Sequence, residues 1–312
     1  MAPIRECDAQ RMERYTSYDL AILTPILFPL TAALVVQLLS WVFLWRERRQ
    51  TNLSATILCG GELLVETFFG IFCLGSCVAN FAERDYVGGT SACAFQAWYA
   101  GWYTFSQLPM LAALSAAVGY RESWGAGSLP SPSACAGVVF GCLAVGALVA
   151  ALPFMGVSHF VFPKDYCMYD LQDTPFAMIF LLWFFVAAAC VTLGPLRLAI
   201  LRCVQGSGPE DTNVQILCIM AVVLFLWGWV VSAAIAVRGL AKGSVCSDDF
   251  ATSSTVYGFS AVFLHVQQLA NPVLYAVFWR RALSAPFVPW LGTSTTKVVE
   301  VSVQAQDASA GG

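Results

Sequence analysis

Between Asp173 and Arg197 the chain reads TPFAMIFLLWFFVAAACVTLGPL, residues 174–196, without one charged side chain. A helix needs roughly 20 mostly apolar residues to cross the hydrocarbon of a bilayer, so this stretch is long enough to span. Outward from it, the charges of the 312-residue chain fall in clusters that separate similar windows. The chain is 58% hydrophobic and only 11% charged, against about 25% charged residues in an ordinary soluble domain. That composition excludes a soluble globular enzyme. Seven windows fit a span, which predicts an all-α polytopic membrane protein, a seven-transmembrane helix bundle with its N-terminus outside. The expected helices cover about 20–45, 52–80, 90–119, 134–155, 174–202, 212–237 and 250–279. A short extracellular segment, 1–19, precedes them; a short amphipathic end, 280–290, and a disordered cytoplasmic tail, 291–312, follow. The run Gly125-Ala126-Gly127-Ser128-Leu129-Pro130-Ser131-Pro132-Ser133 reads as a loop before the fourth helix.

No cleavable signal peptide is expected, because the first 19 residues are polar and the first apolar run is long enough to span. Basic residues collect on the cytosolic side of membrane proteins. With the N-terminus outside, Arg46, Arg48, Arg49, Arg121, Arg197, Arg202, Arg280, Arg281 and Lys297 lie inside, and Arg5, Arg11, Arg14, Arg84, Lys164, Arg238 and Lys242 outside, a preference of nine to seven. The twelve cysteines divide by depth. Cys59, Cys73, Cys77, Cys135, Cys142, Cys190 and Cys218 fall inside helices, where a thiol is expected to be a small apolar packing residue. Cys203 falls at the cytosolic end of the fifth helix, in a reducing compartment. Cys7, Cys93, Cys167 and Cys246 share the outer side, and an even number in an oxidising compartment reads as disulfides. Arithmetic alone leaves three pairings open.

Several motifs then coincide. The seventh helix ends in Asn271-Pro272-Val273-Leu274-Tyr275, which resembles the NPxxY signature of rhodopsin-like, class A G-protein-coupled receptors. Leu58-Cys59-Gly60-Gly61-Glu62 is similar to the family's helix 2 motif with glutamate in place of aspartate. Phe225 and Trp229 keep the FxxxW spacing of its helix 6, and Ala113-Leu114-Ser115 matches the residues before its DRY motif. The resemblance covers all seven windows. It implies a disulfide between Cys93 and Cys167, and, by likeness to the chemokine-receptor branch, a second between Cys7 and Cys246. It also implies an activation motif made of Phe225, Trp229, Asn271, Pro272 and Tyr275. The departures are equally specific. The DRY position reads Ala117-Val118-Gly119, so valine stands where the family has its G-protein-facing arginine. The helix 1 asparagine and the helix 4 tryptophan are absent, Val231 stands where the family has the helix 6 proline, and helix 5 has no proline at the expected depth. Small size, minimal loops and lost motifs together resemble receptor homologues encoded by large DNA viruses.

Buried carboxylates are the strongest physical signal in the helices. Glu62 and Glu66 are four residues apart and therefore on one face of helix 2, and an ionisable residue inside the bilayer is rare, costly and by default functional. The family register implies that Glu62 faces Gln107, Gln267, Gln268 and Asn271, a polar switch pocket with Glu66 a water-bridged neighbour. Trp98, Tyr99, Trp102 and Tyr103 crowd the outer half of helix 3. This stripe is read first as packing or interface belt and second as a ligand pocket. Ala100 stands where amine receptors carry aspartate, which disfavours a biogenic amine, and helix 7 has no lysine for a retinal Schiff base. His159 and His265 are expected to make ordinary polar contacts. The loop from Phe154 to Thr174, apolar through Phe160, Val161 and Phe162, is able to fold over the pocket.

The functional expectation is a receptor-like signalling protein of the plasma membrane, a host-cell membrane if virus-encoded. It is atypical for want of the DRY arginine and capable of ligand-independent activity. The alternative is a non-signalling receptor homologue acting as scavenger, decoy or dimer partner. Expected partners are the lipid bilayer, a heterotrimeric G protein, a peptide, chemokine or lipid ligand, and a second receptor in a dimer, with no nucleic acid. No enzyme activity, cofactor or metal is expected. Two lone histidines with no paired catalytic motif argue against an intramembrane enzyme, and acids confined to helix 2 without internal repeats argue against a transporter.

Overall fold

The computed structural model describes residue 4 and residues 20–47, 52–83, 86–123, 129–162, 166–204, 209–243 and 250–274. Among these, seven α-helices carry almost all of the chain: α1 (Leu20–Glu47), α2 (Leu53–Glu83), α3 (Gly89–Ser123), α4 (Pro132–Ala150), α5 (Thr174–Val204), α6 (Pro209–Lys242) and α7 (Phe250–Val273). Between α4 and α5 lie a short 3-10 turn, Leu152–Met155, and two strands, β1 (Phe160–Val161) and β2 (Met168–Tyr169). The strands pair antiparallel, Phe160 opposite Tyr169 and Val161 opposite Met168, and Ile4 adds a parallel bridge to Phe160.

Among the described residues five segments, against the seven expected, are long and apolar enough to cross a membrane: Ile26–Arg46, Leu53–Glu83, Pro132–Ala150, Thr174–Leu193 and Val222–Lys242. Their surfaces invert the arrangement of a water-soluble fold. Phe140 is 73% and Phe28 79% exposed, whereas Glu62, Glu66, Gln107 and Gln268 are 0% exposed. Lipid tolerates the first set and the interior hides the second, so the protein is membrane-embedded. The helices α3 and α7 are not among the five segments, and for α3 there is a physical reason. It packs against α2, α4 and α5 and against both strands, and every residue from Tyr103 to Ala112 is buried, so protein rather than lipid surrounds it. Further contacts pair α1 with α2 and α7, α6 with α5 and α7, and α2 with α4 and, more sparsely, with α7.

The helix limits differ from the sequence expectation where charge was taken as the end of a helix. The helix α6 runs from Pro209 to Lys242, past Arg238, and α3 runs past Arg121 to Ser123. Charge marks where hydrocarbon ends, not where backbone hydrogen bonding ends. The stop of α6 is set by Gly243, whose positive φ of 74° turns its N–H back to Gly239 O at 2.7 Å, a conformation that favours glycine. The fourth helix, expected over 134–155, starts earlier and stops sooner. Pro132 opens it behind the Ser131 cap, whose side chain accepts from Ala134 N at 3.3 Å. It ends at Ala150, because Pro153 lacks the N–H that another α-helical turn requires, and the chain tightens into the 3-10 turn. Residues 1–3, 5–19 and 275–312, and with them Cys7, Tyr275, the amphipathic end and the tail, lie outside the described residues, as does Cys246.

Candidate functional site

The helix α2 presents Glu62, Glu66, Phe69, Cys73 and Cys77 to the interior, all buried. Their spacings of three and four residues form one stripe along a helix. Glu66 is the centre of the polar set. Its Oε1 accepts from Gln107 Nε2 of α3 at 2.5 Å, from Asn271 Nδ2 of α7 at 2.9 Å and from Tyr103 OH at 3.4 Å. This corrects the expectation that Glu62 holds the amides. Both oxygens of Glu62, one turn away, are buried with no hydrogen-bond partner among the described residues. The reason is axial register: one turn of α-helix is about 5.4 Å, more than a side-chain amide recovers by changing rotamer.

The remaining amides are divided. Gln268 turns to His265, its Oε1 accepting from the ring Nδ1–H at 2.9 Å. Gln267 packs against Gly228 of α6, and a Cβ on that glycine would collide with its amide. His159 lies 3.5 Å from Asp173, which also accepts from Ser158 Oγ at 2.7 Å.

Above Glu66, toward the β1–β2 hairpin, a cleft of about 850 Å³, counting its open mouth, enters the protein. Its walls come from α1, α2, α3, α6, α7 and the hairpin, and among the described residues that line it there is no Asp, Glu, Lys or Arg. The hairpin forms a lid, with Tyr166, Cys167, Met168 and Tyr169 in the lining. Three contacts hold it down: the Cys93–Cys167 disulfide, with Cα atoms 5.1 Å apart, the Tyr169 OH bond to Thr104 Oγ1 at 2.8 Å, and the Cys167 N–H bond to Gln96 Oε1 at 2.9 Å. Burial pushes the Tyr169 phenol above its ordinary pKa, as it does that of Tyr86 beside the hairpin. Phe160 and Phe162 are buried beneath the lid's outer surface.

The aromatic stripe of α3 splits between two environments. Tyr99 lines the cleft. Trp98 and Trp102 do not: they stack on each other with centroids 6.5 Å apart, and Trp102 donates its indole N–H to Leu143 O of α4 at 3.2 Å. Tyr103 sits below, between Glu66 and Trp229, and the two rings are 6.2 Å apart and 24° from parallel. Four neighbouring helical positions cannot share one wall, because each residue advances about 100° around the axis.

Trp229 is part of the cleft lining. It packs on Phe180 as well as Tyr103, and Phe225, one turn earlier, packs on Phe184. Asn271 and Pro272 are buried in α7. Of the Ala117-Val118-Gly119 triplet, Ala117 is buried, and the burial of Val118 and Gly119 lies outside what is described. Sequence reasoning treated Cys73 and Cys77 as packing residues, yet both line the cleft. The available signal was their place on the stripe of α2 that the two acids already marked. No family model and no curated protein matches this chain.

Proposed function

We propose that this chain is a seven-transmembrane receptor of the rhodopsin-like type, placed in the plasma membrane, that takes a neutral and largely apolar ligand beneath the hairpin. The observation that carries the reading is continuity from the cleft to the helix 7 motif. Trp229 lines the cleft and stacks on Tyr103, Tyr103 bonds Glu66, and Glu66 bonds Asn271, the first residue of the Asn271–Tyr275 motif. A ligand that moves Trp229 thereby loads a buried hydrogen-bond network, and a receptor shifts state by the difference in ligand affinity between its two states. Among the described residues the lining carries no formal charge, which disfavours amine, peptide and chemokine ligands that need an ionic partner in the pocket.

A second reading is a receptor homologue that binds without signalling, as scavenger, decoy or dimer partner. Val118 in place of the DRY arginine favours it. Ligand-free G-protein activation separates the two readings, measured at equal surface level in cells expressing the wild type, Glu66→Gln and Val118→Arg. A basal signal that Glu66→Gln alters supports the signalling receptor. Silence in the wild type that Val118→Arg relieves supports the homologue whose coupling is lost. Silence in all three removes the G-protein reading.

A further inference from the structure

We propose that the cleft contains a covalent ligand site, in which the Cys73 thiol adds to a neutral, apolar electrophile of the α,β-unsaturated carbonyl class with His265 as its base. The inference rests on the cleft and its side chains and stands whether or not the protein signals.

Cys73 on α2 and His265 on α7 are 192 residues apart in sequence, yet the sulfur lies 3.8 Å from His265 Nε2. Both residues line the cleft. The Gln268 carbonyl oxygen accepts from Nδ1–H at 2.9 Å, and an amide oxygen can only accept. The neutral ring therefore carries its hydrogen on Nδ1 and directs the Nε2 lone pair at the thiol. Phe69 stacks on the imidazole with centroids 5.9 Å apart and holds its plane. A nucleophile, a base and a third group that orients the base make up the arrangement by which cysteine is activated in covalent catalysis. Cys77, one turn along α2, shares a hydrogen bond with the same thiol, so the thiol proton has two neighbours to accept it, and the His265 and Gln268 variants below tell them apart.

The surroundings select the electrophile. Among the described residues the lining holds no formally charged side chain, so an anionic or cationic reagent would lose its hydration there without a counter-charge. Trp229 supplies the polar complement. Its side chain is buried in the lining, and its indole N–H has no hydrogen-bond partner among the described residues. A donor left in that condition favours a ligand with one acceptor, such as a carbonyl, on an otherwise apolar body.

The addition balances without an outside reagent. As sulfur bonds to the β-carbon, the thiol proton passes to His265 Nε2, the carbon–carbon π pair moves toward the carbonyl, and an enolate forms. The imidazolium then returns the proton to the α-carbon. One S–H bond and one π bond are exchanged for one C–S bond and one C–H bond, with no net oxidation or reduction.

The test uses the full-length protein in lipid nanodiscs, an octyl-substituted cyclopentenone as probe, and peptide mass spectrometry. Cys142 and Cys190 on the same molecules serve as references that need no variant. The expected result is adduct on Cys73 faster than on either reference, faster with the neutral probe than with a carboxylate-tailed analogue, and slowed about a hundredfold by His265→Asn. Gln268 acts as a positioning residue, so Gln268→Leu should slow the reaction and Gln268→Glu, which still accepts from Nδ1–H, should restore it. If His265→Asn fails to fold, the Gln268 pair and the wild-type comparison carry the decision. The proposal is overturned if Cys73 reacts no faster than Cys142 and Cys190, if Cys77 takes the adduct instead, or if the rate ignores both His265→Asn and Gln268→Leu.

Discussion

Asn271 Nδ2 donates to Glu66 Oε1 at 2.9 Å across 205 residues of chain, and this bond joins α2 to α7 at the motif that ends the seventh helix. Gln107 and Tyr103 reach the same oxygen, so three donors from two further helices converge on one buried acceptor.

That convergence makes the two acids of α2 unequal. Glu66→Leu removes the acceptor from three buried donors and should destabilise the protein by about 3 kcal/mol, since each lost partner of a buried polar group costs about 1 kcal/mol or more. Glu62→Leu removes a carboxyl whose oxygens have no partner among the described residues, and should be neutral or stabilising by about 1 kcal/mol or more. Thermal unfolding of the two variants in detergent checks this. Equal losses would mean that Glu62 is held as firmly as Glu66.

The helices α3 and α4 approach closely at Gly146. A Cβ there would meet the backbone nitrogen of Ser106 at 2.8 Å as well as its side chain, and backbone does not yield as a flexible side chain does. Gly146→Ala should therefore cost about 1–3 kcal/mol by forcing the helices apart. Gly137 and Gly141 on the same helix have nothing within 4 Å of a built Cβ, so alanine at either should be neutral or stabilising by up to about 1 kcal/mol through helix propensity. Unfolding midpoints of the three single variants give the comparison.

The lid should depend on its disulfide more than on any single hydrogen bond. Cys93 and Cys167 are separated by 74 residues, a loop whose closure is worth about 4 kcal/mol on the chain-entropy scale. Cys93→Ala, Cys167→Ala and the double variant should all lose about the same stability, because the partners act as one unit. Additive losses in the double variant would show that the two residues contribute separately.

Alkaline pH should loosen the hairpin through its tyrosines. Burial raises the folded pKa of Tyr169 and Tyr86, while an unfolded tyrosine titrates near about 10. Above that value the unfolded state gives up protons that the folded state keeps, so this contribution to stability is complete below about pH 10 and falls as pH rises through the folded values. Hydrogen exchange in the hairpin, followed from neutral to alkaline pH, should accelerate in the wild type and less steeply in Tyr169→Phe. An identical slope in both would remove Tyr169 as the source.

Much of the architecture was legible before any coordinates, and the reason is locality. Whether residues 174–196 can cross a bilayer depends on a sum of transfer free energies over that stretch alone, and the positions of Pro132, Pro153 and Gly243 act on the turns that contain them. The periodicity that puts Glu62 and Glu66 on one face is likewise a property of a single helix, and resemblance supplied the Cys93–Cys167 pair.

What a single helix cannot express is its axial register and rotation against its neighbours. A shift of one turn decides whether Gln107 and Asn271 meet Glu62 or Glu66, and a rotation decides that Tyr99 faces the cleft while Trp102 faces α4. The meeting of Cys73 with His265 has the same origin. The sequence by itself determined which segments are apolar and helical and which residues of a helix share a polar face, because those depend on neighbours along the chain. Only tertiary packing decided which of the polar groups are partners, because hydrogen bonds act over about 3 Å and the helices that supply them are far apart in sequence.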